Sequence, residues 1–238
     1  MLRTLFILLW TLLTTGYFTT ACVVISFISK SPHATHKIAR IWAKGILLAA
    51  GIKVKVNYHA EFDPAKNYLY MSNHMSNFDI PVLLAHLPNH LRWLAKAELF
   101  KMPIFGPAMK TAGYISIDRS NRRSAVRSLN QAAKNIKEGL SVLIFPEGTR
   151  SRENAIQPFK KGGFVLAVDA GVPIVPVTIQ GTWTIMPKKR FLVKPGKVIL
   201  EVAEPIETSG YNRKTKSDLM EKVRSVIIQS FERANKGS

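Results

Sequence analysis

Apolar residues crowd the start of the chain and later break into short runs. From Thr4 to Ser29 no residue carries a charge, and 17 of these 26 positions are apolar. As a straight helix the run would measure roughly 39 Å against about 30 Å of bilayer hydrocarbon, enough to span with tilt. A secretory signal has an apolar core of only about 7–15 residues, so an uncleaved membrane segment is the better reading. Thr14-Thr15-Gly16 and Thr19-Thr20 are polar enough to permit a break. One spanning helix and a shallow hairpin within one leaflet therefore both stay open. Next, apolar positions recur at Ala34, Ile38, Ile41, Trp42, Ile46 and Ala49 with basic residues between them. This spacing predicts an amphipathic helix, suited either to an anionic membrane surface or to packing on a core.

From Gly51 onward short apolar runs alternate with helical patterns. Strands are expected at Val54–Tyr58, Tyr68–Ser72, Leu91–Ala95, Gly113–Ile117, Val142–Phe145, Ile174–Ile179 and Val198–Val202. Helices are expected at Phe78–Leu87, Arg122–Glu138 and Phe159–Ala170, the last two stopped by Gly139 and Gly171. A final helix, Thr215 to Ala234, aligns Leu219, Val223, Val226, Ile227 and Phe231 on one face. The alternation predicts an α/β fold: a mixed, largely parallel sheet flanked by helices. Residues 1–50 read as a membrane anchor and residues 51–238 as the main domain. Pro173 and Pro176 suit a sheet edge or end better than a central strand.

Composition narrows the class of partner. The 238 residues hold 34 Lys and Arg against 15 Asp and Glu, a net charge of +19. A charge of that size calls for an anionic partner: nucleic acid, an acidic membrane surface or phosphorylated molecules. No helix-turn-helix, zinc-finger or aromatic RNA-binding pattern accompanies it, so nucleic acid is set aside in favour of anionic membrane lipids. Lys30, Lys37, Arg40 and Lys44 follow the apolar run while only Arg3 precedes it. That asymmetry places the main domain on the cytoplasmic side. The single cysteine, Cys22, excludes an internal disulfide framework and a Cys-based zinc site.

Candidate chemistry gathers where apolar strands end. Asn73-His74-Met75-Ser76-Asn77-Phe78-Asp79 follows one of them, the usual place for ligands in α/β folds. A carboxylate from Asp79 on Nδ1–H of His74 would leave Nε2 free as a general base. A loop histidine with Asp79 as helix cap is the plainer alternative. Phe145-Pro146-Glu147-Gly148-Thr149-Arg150-Ser151 follows another strand. There Arg150 can fork onto a phosphate, and Glu147 can accept from a substrate hydroxyl or orient the arginine. A β-turn with a surface ion pair is the plainer reading of this second segment. Gly113-Tyr114-Ile115-Ser116-Ile117-Asp118-Arg119 is a third strand end. No G-x-S-x-G elbow and no G-x-x-x-x-G-K-[ST] loop occurs. A base without an evident nucleophile points to a substrate that supplies its own hydroxyl.

Taken in order, Asn73-His74-x4-Asp79, Asp118-Arg119, Phe145 to Ser151 and Val172-Pro173-Ile174-Val175-Pro176 resemble the four blocks of the glycerolipid acyltransferase family. The closest likeness is to its bacterial branch that acylates 1-acyl-glycerol 3-phosphate. Lys96-Ala97-Glu98-Leu99 also looks like that family's Lys-x-Glu-Leu segment. The resemblance implies transfer of a fatty acyl group from acyl-CoA or acyl carrier protein to the sn-2 hydroxyl of lysophosphatidic acid, giving phosphatidic acid. It implies His74 as general base, oriented by Asp79, with direct attack and no acyl-enzyme. Lys96, Arg119, Glu147, Gly148, Thr149 and Arg150 would hold the acceptor. No metal and no cofactor beyond the thioester co-substrate is implied, and the location would be the bacterial inner membrane. Other acceptors remain open: glycerol 3-phosphate, lyso-ornithine lipid or another lysophospholipid. A different class also remains, a non-catalytic membrane protein that binds anionic lipid.

Overall fold

Every expected apolar run becomes a strand. The computed structural model describes residues 1–28, 32–63, 65–87, 91–118 and 121–236. Its strands are β1 (Ile52–Tyr58), β2 (Leu69–Ser72), β3 (Leu91–Lys96), β4 (Ile115–Ile117), β5 (Ser141–Ile144), β6 (Ile174–Gln180) and β7 (Gly196–Val202). Its helices are α1 (Leu2–Ile28), α2 (Pro32–Ala49), α3 (Asp79–His86), α4 (Phe105–Thr111), α5 (Arg122–Lys137), α6 (Gly162–Ala170), α7 (Thr182–Ile185) and α8 (Lys216–Lys236). The strands form one sheet in the order β1-β7-β6-β2-β5-β3-β4. Neighbours run parallel except β6 and β7, which pair antiparallel, so β7 and β1 run against the other five.

Side-chain alternation divides the core into two layers. Along β2, Tyr70 faces the layer built with α2 and α3, while Leu69 and Met71 face the layer built with α5, α6 and α8. Leu143 and its neighbours Val142 and Ile144 divide in the same way on β5. Leu219, Val223 and Ile227 of α8 are buried in the second layer, and Phe231 on the same face is buried too, as their spacing predicts. Gly163 marks a close helix–sheet approach, since a Cβ there would lie 2.4 Å from Ile144 Cδ1.

Two expectations are corrected and two elements are added. Pro176 lies within β6, the third strand from one edge, not at an edge or sheet end. It is tolerated because its nitrogen faces the side where the β7 ladder has run out: Ala203 N–H donates to the Pro176 carbonyl just beyond the last pair. The α2 stripe is shifted from the expected one. Thr35, His36, Ala43, Ile46, Leu47 and Ala50 are buried, and Ile41 is exposed. The short helices α4 and α7 were not expected at all. In α4, Pro107 sits in the first turn, where the missing N–H has no intrahelical partner to lose.

The threonines leave α1 unbroken. Thr14, Thr15, Thr19 and Thr20 donate to carbonyls four residues back, at Trp10, Thr11, Thr15 and Gly16. Each hydroxyl is thus satisfied within the helix. α1 runs antiparallel to α2 and is tied to it along its length. Arg3 donates to the Ala50 carbonyl, Trp42 Nε1 to Thr15 Oγ1, and Cys22 lies against the Thr35 carbonyl. Its other face leaves Leu2, Leu5, Phe6, Leu12, Leu13 and Tyr17 exposed. The helix is long and apolar enough to cross a membrane.

Candidate active site

The five parallel strands bring their carboxyl ends to one rim, and the candidate residues leave from there. β2 ends at Ser72, and the next residue, Asn73, is locked by a reciprocal pair. Its Nδ2 donates to the Ile179 carbonyl, and Ile179 N–H donates to its Oδ1, both at 2.8 Å. This clasp joins the ends of β2 and β6 and fixes where His74 begins.

Asp79, the first residue of α3, reaches back across the turn. Its Oδ2 accepts from His74 Nδ1 at 2.7 Å, from Met75 N–H at 2.7 Å and from Ser76 N–H at 2.8 Å. Two backbone donors on the same oxygen make that atom an acceptor, so the imidazole proton resides on Nδ1. Nε2 is left with its lone pair. Asp79 is fully buried, and the His74 side chain is 15% exposed. The imidazole therefore meets the outside along a narrow opening. Phe145 stacks on it with ring centroids 3.8 Å apart and planes 10° apart, and Trp93 lies beyond Phe145 at 5.8 Å.

The turn after β5 is bolted to the same histidine. Gly148 adopts φ +74°, a left-handed conformation that favours glycine, and its N–H donates to the Phe145 carbonyl. Ser151 N–H donates to the His74 carbonyl at 2.8 Å. Glu147 was expected beside the substrate, but both of its oxygens are engaged by backbone. Oε1 accepts from His74 N–H at 2.6 Å, and Oε2 from Gln157 N–H at 2.8 Å. The side chain is a buried brace that holds the His74 backbone. Thr149 and Arg150 lie further out on the turn, where Lys188 Nζ donates to Thr149 Oγ1 and to the Arg150 carbonyl. Lys96, at the end of β3, lies at the rim with its ammonium 2.8 Å from Glu98, both exposed. Arg119 lies outside the described residues.

Burial pushes the Glu147 carboxyl up to about 7; the Gln157 and His74 N–H donors hold it down, and Asp79 raises it further. A carboxyl raised on folding contributes stability below its unfolded value of about 4.3, and that contribution is lost as pH rises through 7. Glu147→Gln removes this titration. The Tm difference between variant and parent is therefore expected to move in favour of the variant from pH 5 to pH 8, read by calorimetry. A constant difference across that range would remove Glu147 as the titrating group.

Sequence reasoning missed Asn73, Phe145, Gln157 and Lys188 as members of the site. Asn73 and Phe145 lie inside segments already singled out. Lys188 opens a run of five basic residues with no acid, Lys188 to Lys197. Gln157 carried no signal.

Comparison with known proteins gives the family and the fold. The Acyltransferase family model matches residues 53–180. The 1-acyl-sn-glycerol-3-phosphate acyltransferase of Haemophilus influenzae is 34% identical over 198 residues, covering 82% of this chain and 81% of that protein. The chloroplastic 1-acyl-sn-glycerol-3-phosphate acyltransferase BAT2 of Brassica napus is 34% identical over 205 residues. That match covers 82% of this chain, which spans only 56% of the plant protein's length. The crystal structure of the 1-acyl-sn-glycerophosphate (LPA) acyltransferase PlsC from Thermotoga maritima superposes with a TM-score of 0.85 at 28% identity. It covers 98% of this chain and 95% of that one. A family match over more than half of the chain, and relatives of this identity and coverage, make the chain a member of the Acyltransferase family.

Proposed function

We propose that the chain transfers a fatty acyl group from a thioester, carried by CoA or by acyl carrier protein, to the sn-2 hydroxyl of 1-acyl-glycerol 3-phosphate. The observation that carries this reading is the Asp79–His74 pair on the rim, braced against a turn that bears Thr149 and Arg150. Nε2 of His74 takes the proton from the acceptor hydroxyl as its oxygen attacks the thioester carbonyl carbon. The C–O bond forms, the tetrahedral intermediate collapses and the C–S bond breaks. The imidazolium returns its proton to the departing thiolate. Asp79 holds the ring in the required tautomer and offsets the positive charge that forms on it. Relatives named for acylating 1-acyl-sn-glycerol 3-phosphate support this choice of acceptor.

An apolar cavity beneath the rim supports an acyl chain as the transferred group. Ile80, Leu84, Trp93, Leu99 and Met109 line it, and Phe18 of α1 adds one wall. Trp93 lines this cavity and also neighbours Phe145, so the cavity begins two rings from the base. The exposed apolar face of α1 supports membrane attachment, and the basic residues that follow it support a cytoplasmic site at a bacterial inner membrane. Residues 3 and 22 of α1 both rest on α2 and its end. Seating in one leaflet then keeps both helix ends on the side of the domain that carries them.

The test is a micelle assay of the full chain with a long-chain acyl-CoA, offering 1-acyl-glycerol 3-phosphate and glycerol 3-phosphate in parallel. Phosphatidate from the lyso acceptor alone is expected. Arg150→Ala is expected to raise the KM for that acceptor several-fold more than the KM for the donor. Product from glycerol 3-phosphate alone would overturn the acceptor. Silence with acyl-CoA, acyl carrier protein and other lysolipids alike would favour a lipid-binding protein.

A further inference from the structure

The connection between α7 and β7 carries an ammonium back to the turn after β5. Lys188 Nζ donates to Thr149 Oγ1 at 3.0 Å and to the Arg150 carbonyl at 2.7 Å, across 39 and 38 residues of chain. These two contacts hold the charge against the outer side of a turn whose inner side is bonded to His74. An ammonium has three donors, so two fixed bonds leave one to direct at a ligand.

The surroundings call for an anion. Partial desolvation, and after it the neighbouring charges of Arg152, Arg150 and Lys189, pull the pKa of this ammonium below the ordinary lysine value. Among the described residues no carboxylate makes an ion pair with Lys188, Lys189, Arg150 or Arg152. The carboxylate in the turn, Glu147, is buried and has both oxygens occupied by backbone N–H groups. Four like charges gathered beside a candidate base are mutually repulsive until a multivalent anion joins them. A phosphomonoester supplies up to two negative charges and three acceptor oxygens.

We infer that Lys188 is a specificity-determining residue that, with Arg150, grips the phosphomonoester of the acyl acceptor on the outer face of the Thr149–Arg150 turn. The inference rests on the proposed reaction for the identity of the acceptor and on the geometry for the phosphate. The same anion chemistry could come from the phosphates of CoA, and the arms of the experiment separate the two sources.

Full-length parent, Lys188→Gln and Lys188→Arg proteins in detergent micelles are compared in two ways. Kinetics give the KM for 1-oleoyl-glycerol 3-phosphate at saturating acyl-CoA and the KM for acyl-CoA at saturating acceptor. Thermal shifts give binding of 1-oleoyl-glycerol 3-phosphate and of phosphate-free 1-oleoylglycerol without any donor. Lys188→Gln is expected to raise the acceptor KM about tenfold, the loss of one charge-assisted contact. It should leave the donor KM within about twofold and clearly shrink the difference in thermal shift between the two lipids. Lys188→Arg should recover much of both. An unchanged acceptor KM overturns the assignment, as does a rise confined to acyl-CoA, which would give the lysine to the donor. A fall in kcat with both KM values unchanged would also overturn it, leaving Lys188 as a clamp on the turn. A parent protein that binds the phosphorylated lipid through Lys188 yet fails to acylate it from either acyl-CoA or acyl carrier protein would preserve the site and remove the proposed reaction.

Discussion

Replacing His74 with alanine is expected to lower acyl transfer by about 10²–10⁴-fold, the usual worth of a positioned general base. The expectation follows from how little else near the imidazole is open to the proton of an acceptor hydroxyl. Asp79 is fully buried with Oδ2 already accepting from three donors, and Glu147 is occupied by two backbone N–H groups. Folding should survive, because Asp79 Oδ2 keeps its Met75 and Ser76 donors and Glu147 keeps the backbone N–H of residue 74. Membrane binding should also survive, since the exposed apolar face of α1 is unaltered. The measurement is turnover of the alanine variant in micelles, alongside its melting curve and vesicle co-sedimentation. Turnover within tenfold of the parent, from a folded variant, would remove His74 as the base.

Asp79 separates stability from chemistry when two substitutions are compared. Asp79→Asn keeps an oxygen for the Met75 and Ser76 N–H groups but removes the charge that offsets an imidazolium. It should cost about 10²-fold or more in kcat, with a modest loss of Tm. Asp79→Ala leaves three donors without an acceptor in a buried position, at about 1–3 kcal/mol for each unmet group. Set against the total of about 5–15 kcal/mol typical of a folded domain, that loss is expected to leave much of the protein unfolded at growth temperature. Calorimetry and kinetics on both variants decide the matter. An asparagine variant with the kcat of the parent would reduce Asp79 to a structural cap of α3.

Much of the architecture was legible because its causes are local. Each short run such as Val142-Leu143-Ile144 alternates between two buried faces, and a strand records that alternation whatever its neighbours are. The stripe Leu219–Val223–Ile227–Phe231 likewise needs only the helical repeat to declare the buried face of α8. The His74–Asp79 contact spans five residues, within reach of a single turn, so the spacing alone could suggest it. Short elements escaped where breakers hid them, as Gly106 and Pro107 hide α4.

Local pattern along the chain thus yields the set of strands, the long helices and the residues gathered at strand ends. Which of those residues face one another depends on how the elements assemble. Glu147 and His74 are 73 residues apart, and their contact exists because β2 and β5 are neighbours in the sheet. Lys188 reaches Thr149 because the chain after β6 returns across the rim before entering β7, which then runs backwards against β6. Whether α1 stands apart or lies along the domain was settled by Arg3, Thr15 and Cys22, each meeting a partner beyond its own helix. Local patterns fix which face a residue turns, because that depends on backbone geometry over a few residues. Partners distant in sequence depend on strand order and crossover path, which no short window of residues contains.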